Sequence, residues 1–259
     1  MKRGPNIPRT SNPPPDTAAF KRWFKRSKVV TATGEPMIVY HGTRSPVEFD
    51  TFATGTQTHD DEVVISGSRD PGSSIGPHFT ESAAVASDFA RGKAADWDRK
   101  RVIREGHVGG RVIPVYLSIQ KPMVLQSDDE LIEYIWAHGR SSEVDSWGEA
   151  VFEVDDQTGR FYSFDTGDVL TDAEANKAIF EKMMGAESDG DGLAPAEYAA
   201  WELGTSVRDH MKKLGYDGVK YRNTIEGGGW SWIAFDAWQV KSAYGNVGTY
   251  SRRSRSLTR

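Results

Sequence analysis

Apolar residues fall into short runs separated by long polar stretches, and the rhythm of the pattern changes several times along the chain. From Thr17, the positions Ala18, Ala19, Phe20, Trp23 and Phe24 recur at helical spacing, with Lys21, Arg22, Lys25 and Arg26 on the opposite face. This predicts a short amphipathic helix that docks its aromatic side chains and leaves its cations in water. Gly34-Glu35-Pro36 reads as a turn. Met37-Ile38-Val39 then reads as a short buried strand delivering Tyr40-His41-Gly42-Thr43 to its end. Periodicity is then lost until about Gly76, so 44–74 is expected to form a mobile lid or an acceptor-facing loop. Gly76-Pro77-His78-Phe79-Thr80 predicts another strand. Ser82, Val85, Ala86, Phe89 and Ala90 mark one face of a helix over 81–91, with Thr80 or Ser82 as its N-cap. Residues 111–119 are the clearest strand, ended by Lys121-Pro122.

Residues 126–190 read as an insertion. It holds a helix over 128–137, a hairpin of 150–154 with 160–164, and a second helix opening at Thr171 with Glu174 completing a capping box. A longer helix carries Ala200, Leu203, Val207, Met211 and Leu214 on one stripe and stops at Gly215. Strands over 216–221 and 230–235 enclose a flexible loop with Glu226 and Gly227-Gly228-Gly229, and Gln239-Val240-Lys241-Ser242 closes the ordered part. Many short strands without a strand–helix alternation predict an α+β fold with antiparallel pairing. The domain is expected over 17–250. It follows a proline-rich flexible leader (1–16) and precedes a solvated, disordered basic tail (251–259) with Arg252, Arg253, Arg255 and Arg259.

Composition narrows the function classes. A chain of 259 residues with 37% hydrophobic content and eight tryptophans can build a real core. A formal net charge of -5 argues against an overall cationic field for nucleic acid. The absence of cysteine excludes disulfides, thiolate metal sites and a cysteine nucleophile. No apolar run approaches membrane-spanning length, which predicts a soluble, cytoplasmic chain with no membrane partner. The histidines at 41, 59, 78, 107, 138 and 210 show no paired metal-ligand spacing, so no metal site is expected. The acidic stretch 187–192 resembles the start of a calcium loop, but Tyr198 stands where the bidentate Glu is required, so it reads as a solvated turn. Neither a Gly-x-Ser-x-Gly elbow nor a P-loop occurs.

The chemistry concentrates at His41-Gly42. A strand ending in His-Gly presents an imidazole and an unhindered backbone N–H and C=O to the same space, an arrangement that can grip a flat amide and a sugar hydroxyl together. Three separated pieces accompany one another in order: His41-Gly42-Thr43; Gly76-Pro77-His78-Phe79-Thr80 with Ser82, Ala86 and Phe89 behind it; and Ser231-Trp232-Ile233-Ala234-Phe235-Asp236 leading to Gln239-Val240. This combination resembles the ADP-ribosyltransferase superfamily, in the branch of diphtheria toxin and poly-ADP-ribose polymerases. It is most similar to the transferase-like domains of phage and mobile-element proteins, including polyvalent and head-morphogenesis fusions. In those domains a helix like Trp23-Phe24-Lys25-Arg26-Ser27-Lys28-Val29-Val30 precedes the His-Gly-Thr strand, and a segment like 235–243, followed by Asn246 and Gly248, closes the domain. The likeness covers roughly 17–120 and 197–250.

The resemblance implies an ADP-ribosyltransferase-like fold of split antiparallel sheets with flanking helices and a central insertion. It implies NAD as substrate, held by His41, Gly42, Thr43, His78, Phe79, Ser82 and Phe89. The backbone of Gly42 would take the carboxamide, His41 a ribose hydroxyl, and His78 and Phe89 the two faces of the nicotinamide ring. Ser231 stands where the family carries a catalytic Glu. A serine can exchange a hydrogen bond but sets no negative charge against the oxocarbenium-like transition state. Glu226, on the glycine-rich loop, is the nearest substitute in sequence. On this reading His41, Glu226 and Ser231 carry catalysis. The product is ADP-ribose on a host macromolecule, protein ahead of nucleic acid, with NAD hydrolysis as a side activity. The resemblance places the chain in a host bacterial cytoplasm or packaged in a virion. An alternative is a module on the same fold that has lost turnover and acts as a virion or interaction protein.

Overall fold

The computed structural model describes residues 15–259 except 46–47, 55–56, 60–61, 65–67, 92, 96–100, 104–109, 143–146, 148–151, 156, 159, 165, 186–194 and 226; for 57–59, 62–64, 93–95 and 101–103 it describes the backbone alone. In chain order the elements are α1 (Ala18–Phe24), β1 (Val39–Thr43), β2 (Gln57–His59), β3 (Glu62–Val64), α2 (Pro71–Ile75), β4 (His78–Thr80), α3 (Ala83–Ala90), β5 (Lys93–Ala95), β6 (Arg101–Ile103), β7 (Arg111–Leu117), β8 (Pro122–Leu125), α4 (Asp128–His138), β9 (Glu153–Val154), β10 (Phe161–Tyr162), α5 (Asp172–Met183), α6 (Pro195–Lys213), β11 (Gly218–Arg222), β12 (Trp230–Ala234) and β13 (Val240–Ser242). They form two compact units, one of Met1–Ala53, Pro77–Asp128 and Gly215–Arg259, the other of Thr54–Gly76 and Asp129–Leu214.

The first unit is built on a seven-stranded sheet in the order β13-β7-β1-β4-β12-β11-β8. The expected α+β class is observed. Pairing is antiparallel with one departure from expectation: β8 and β11 run parallel, Gly218 beside Pro122. The long segment between them supplies the crossover that a parallel pair needs. Strand alternation divides the sheet into two faces. One face packs Val39, Phe79, Val115, Leu117, Trp232, Ala234 and Val240 with Phe52 and Leu257. On the other face α1 docks Phe20, Trp23 and Phe24 against Tyr116 and Tyr250, as its apolar stripe predicts. Thr17 caps that helix by accepting from the Phe20 amide.

The C-terminal segment differs from the expected solvated tail. Leu257 is buried in the core, its amide donates to the Asp50 carbonyl, and its own carbonyl accepts from the Ser242 amide. Lys241 has no exposed surface, and its ammonium donates to the carbonyls of Ser254 (2.8 Å) and Ser256 (2.6 Å). Burial lowers its pKa to about 8, with Asp50 pulling the other way. The arginine-rich sequence of this segment conceals one buried leucine and a pair of carbonyls that clamp Lys241.

In the second unit α2 packs on α6. Gly204 lets the helices approach so closely that a Cβ there would lie 2.3 Å from the Pro71 carbonyl oxygen. The expected stripe of α6 is buried at Ala200, Leu203, Val207 and Met211, whereas Leu214, beyond the helix, is 52% exposed. The capping box at Thr171 and Glu174 forms as predicted, and the hairpin is β9 with β10. Helix α2 falls inside the stretch expected to be a loop. Its signals were present: Asp70 as N-cap and Pro71 at the first helical position. The acidic stretch 187–192 lies outside the described residues.

Candidate active site

The site residues of the first unit gather around the place where β1 and β4 part. On one side β1 pairs with β7 along its full length, from Val39↔Val115 to Thr43↔Arg111. On the other it shares a single registered pair with β4, Tyr40↔Thr80. Counting outward from that pair sets His41 level with Phe79, and Gly42 level with His78, across an opening. Successive residues of a strand turn their N–H and C=O to opposite edges, so some of the backbone groups of His41, Gly42 and Thr43 face this gap. β1 and β4 stay neighbours in one sheet, and their registered pairing stops at Tyr40, next to the histidine.

Alternation distributes the candidates over two faces. Gly42, His78, Thr80 and Ser231 share the face covered by α3, since Ser231 pairs with Thr80 and Ile233 with His78. Helix α3 lies directly on Gly42: a Cβ there would meet the Ala86 carbonyl oxygen at 2.1 Å and the Phe89 Cβ at 2.8 Å. Glycine is therefore a steric requirement at this position, and Phe89 stands beside the Gly42 backbone. Ser82 is committed to holding α3, accepting from the Val85 amide as N-cap. Thr43 accepts from the Ser45 amide at the strand end.

His41 points to the other face, edge-on to Phe52 (centroids 4.8 Å apart) and tilted against Phe79 at 5.7 Å. Phe79 itself is 1% exposed and belongs to the core. The structure thus brings Gly42, His78, Phe89 and Ser231 to one face, with His41 across the strand from them and linked through β4. Its Nδ1 lies 2.8 Å from the His78 carbonyl oxygen. A carbonyl only accepts, so Nδ1 carries the proton and Nε2 of the neutral ring is the acceptor. Burial pushes the imidazole pKa down to about 4, with the His78 carbonyl opposing and the His78 ring adding to the shift. At neutral pH His41 is an uncharged ring with a fixed tautomer, suited to accept a hydrogen bond from a hydroxyl.

Two partners escaped the sequence reading. The Tyr221 hydroxyl exchanges a 3.1 Å hydrogen bond with His78 Nδ1, and the rings meet edge-on. Tyr221 pairs with Ser231 across β11 and β12, so the phenol, the imidazole and the serine share one face. Only sheet register could reveal this, since 143 residues separate His78 and Tyr221. The second is Asp128, which is buried and accepts from the amide and hydroxyl of Thr224. Together with the Asn223 amide bond to the Gly229 carbonyl, it pins both ends of the glycine-rich loop. Glu226 lies outside the described residues. Ser231 is 3% exposed on a central strand.

A family model described as ADP-ribosyltransferase in polyvalent proteins matches residues 31–250. Neither a curated protein nor a solved structure matches the chain. The family match takes in β1, the β1/β4 opening, α3 and the β11–β12 loop in a single span, and the chain belongs to the ADP-ribosyltransferases of polyvalent proteins.

Proposed function

We propose that the domain is an NAD-dependent mono-ADP-ribosyltransferase of phage or mobile-element origin. In this reading the nicotinamide end of NAD enters the opening between β1 and β4, and a host macromolecule receives ADP-ribose. The observation that carries the reading is the position of the Gly42 backbone. Gly42, past the single Tyr40↔Thr80 pair, is level with His78 and beside Phe89, and its backbone N–H and C=O are the groups assigned to the carboxamide. His41 reaches the same opening from the opposite face, where its acceptor Nε2 takes a ribose hydroxyl. Tyr221 holds the His78 ring in orientation. NAD fits this set because it asks for a flat slot, an amide-binding edge and a hydroxyl acceptor together.

Cleavage of the nicotinamide–ribose bond sends the bonding electrons onto the departing ring, which leaves as neutral nicotinamide, while positive charge develops on the ribose. The acceptor nucleophile then forms the new bond to the anomeric carbon and gives up its proton. A carboxylate facing the ribose stabilises that charge selectively in the transition state. Ser231 cannot supply it, and Glu226 is the residue assigned to do so, carried on a loop whose Gly227, Gly228 and Gly229 all adopt positive φ. A second reading, a binding module without turnover, is favoured by one observation only: the buried, uncharged Ser231.

The experiment is release of nicotinamide from labelled NAD, with and without host lysate. Glu226→Gln is expected to lower release at least a hundredfold with NAD affinity nearly unchanged, and Ser231→Glu to retain or raise it. Equal release by wild type and Glu226→Gln removes Glu226 from the mechanism. Failure to bind or consume NAD leaves the module reading.

A further inference from the structure

Helix α1 and the C-terminal segment, far apart in sequence, meet on one surface of the first unit. Phe20 and Trp23 contact Tyr250, with ring centroids 5.0 and 5.7 Å apart. Trp23 Nε1 donates to the Trp238 carbonyl at 3.0 Å, and the Arg252 guanidinium lies 4.1 Å from the centre of the Trp238 ring. The inward residues of α1 are consumed by this aromatic pack. Its outward residues Lys21, Arg22, Lys25 and Arg26 are exposed, as are Lys28 beyond it and Arg252, Arg253 and Arg255 on the facing segment.

Two acid-free stretches are thereby joined. No Asp or Glu occurs from Thr17 to Gly34, and none from Ala237 to Arg259. Asp16 pairs with Lys21 at the edge of this face, whereas Asp217 accepts from the amides of Gln120 and Lys121, and Asp50 from Thr258. Concentrating like charge in a chain of formal net charge -5 raises self-repulsion, and only Lys21 and Arg252 of these cations have a side-chain partner among the described residues.

We infer that this face binds nucleic acid through its phosphate backbone. Several long cations arrayed over a rigid aromatic base offer multiple phosphate contacts, and arginine forks suit phosphate oxygens. A lipid bilayer is a poorer fit. The aromatics that would insert into it, Phe20, Trp23 and Phe24, are all turned inward and buried.

The test measures fluorescence anisotropy of a labelled 24-base-pair duplex and a 24-nucleotide single strand with the whole chain, in the absence of NAD. At least one probe is expected to bind at 50 mM salt, with affinity falling by 200 mM at least about fortyfold for the duplex or about twentyfold for the single strand, the counterion-release slope of three or more phosphate contacts. The pairs Lys25→Glu with Arg26→Glu, and Arg252→Glu with Arg253→Glu, are each expected to weaken binding tenfold or more with thermal unfolding unchanged. Lys177→Glu on α5 should leave it intact. No binding at 50 mM, binding insensitive to both double variants, or tighter binding to anionic vesicles or to a poly-glutamate peptide overturns the inference. Because NAD is absent, the outcome is independent of the transferase reading.

Discussion

His41 shows how much one side chain can be constrained by its neighbours. A neutral ring held by the His78 carbonyl has one tautomer, and a pKa lowered to about 4 keeps it uncharged well below neutrality. The unfolded chain protonates this histidine near its ordinary value of 6.5 while the folded chain does not. Stability is therefore complete above about pH 6.5, falls as pH drops from there toward 4, and loses no more from this group below 4. Chemical denaturation of wild type and His41→Gln across that range should show the variant with the shallower decline. His41→Ala should also weaken binding of an NAD analogue about three- to tenfold by calorimetry, the worth of one hydrogen bond. An unchanged affinity would remove His41 from the binding site.

Among the elements, the β11–β12 loop is the one whose geometry bears most on turnover. Asp128 ties Thr224 by two hydrogen bonds. Asp128→Ala should cost about 1–3 kcal/mol and, on the proposed mechanism, lower kcat for nicotinamide release while KM for NAD moves little. A matching rise in KM would mean that the loop serves binding instead. This part of the site shows where sequence stops being informative. The helix cap at Ser82 and the capping box at Thr171 are local patterns, readable within a few residues. The facing of His41 away from Phe89, the Tyr221–His78 bond and the parallel β8–β11 pair depend on register between distant strands, which no local periodicity encodes. Helix α2 lies between these cases: Asp70-Pro71 signalled its start, but five residues are too few to show a period.

At the scale of the whole molecule, the C-terminal segment determines how the first unit is closed. Lys241 donates to Ser254 and Ser256, Leu257 bonds Asp50, and Phe52, two residues further, packs on His41. Removing residues 251–259 should lower the melting temperature by several degrees and expose Phe52 to hydrogen exchange, whereas a solvated tail would do neither. The ammonium of Lys241 is disfavoured by burial, so its contribution to stability should rise between about pH 8 and 10.5. Lys241→Met should abolish that rise in denaturant titrations.

The Leu257–Asp50 bond also imposes an order on biosynthesis. Asp50 leaves the ribosome early, but its partner is added more than two hundred residues later. Until then the loop carrying Phe52 has nothing to close against, and the wall behind His41 is incomplete. A nascent or prematurely terminated chain would thus carry every residue of the β1/β4 opening and still lack the support that sets it, so that a cell making this domain meets it finished or not at all.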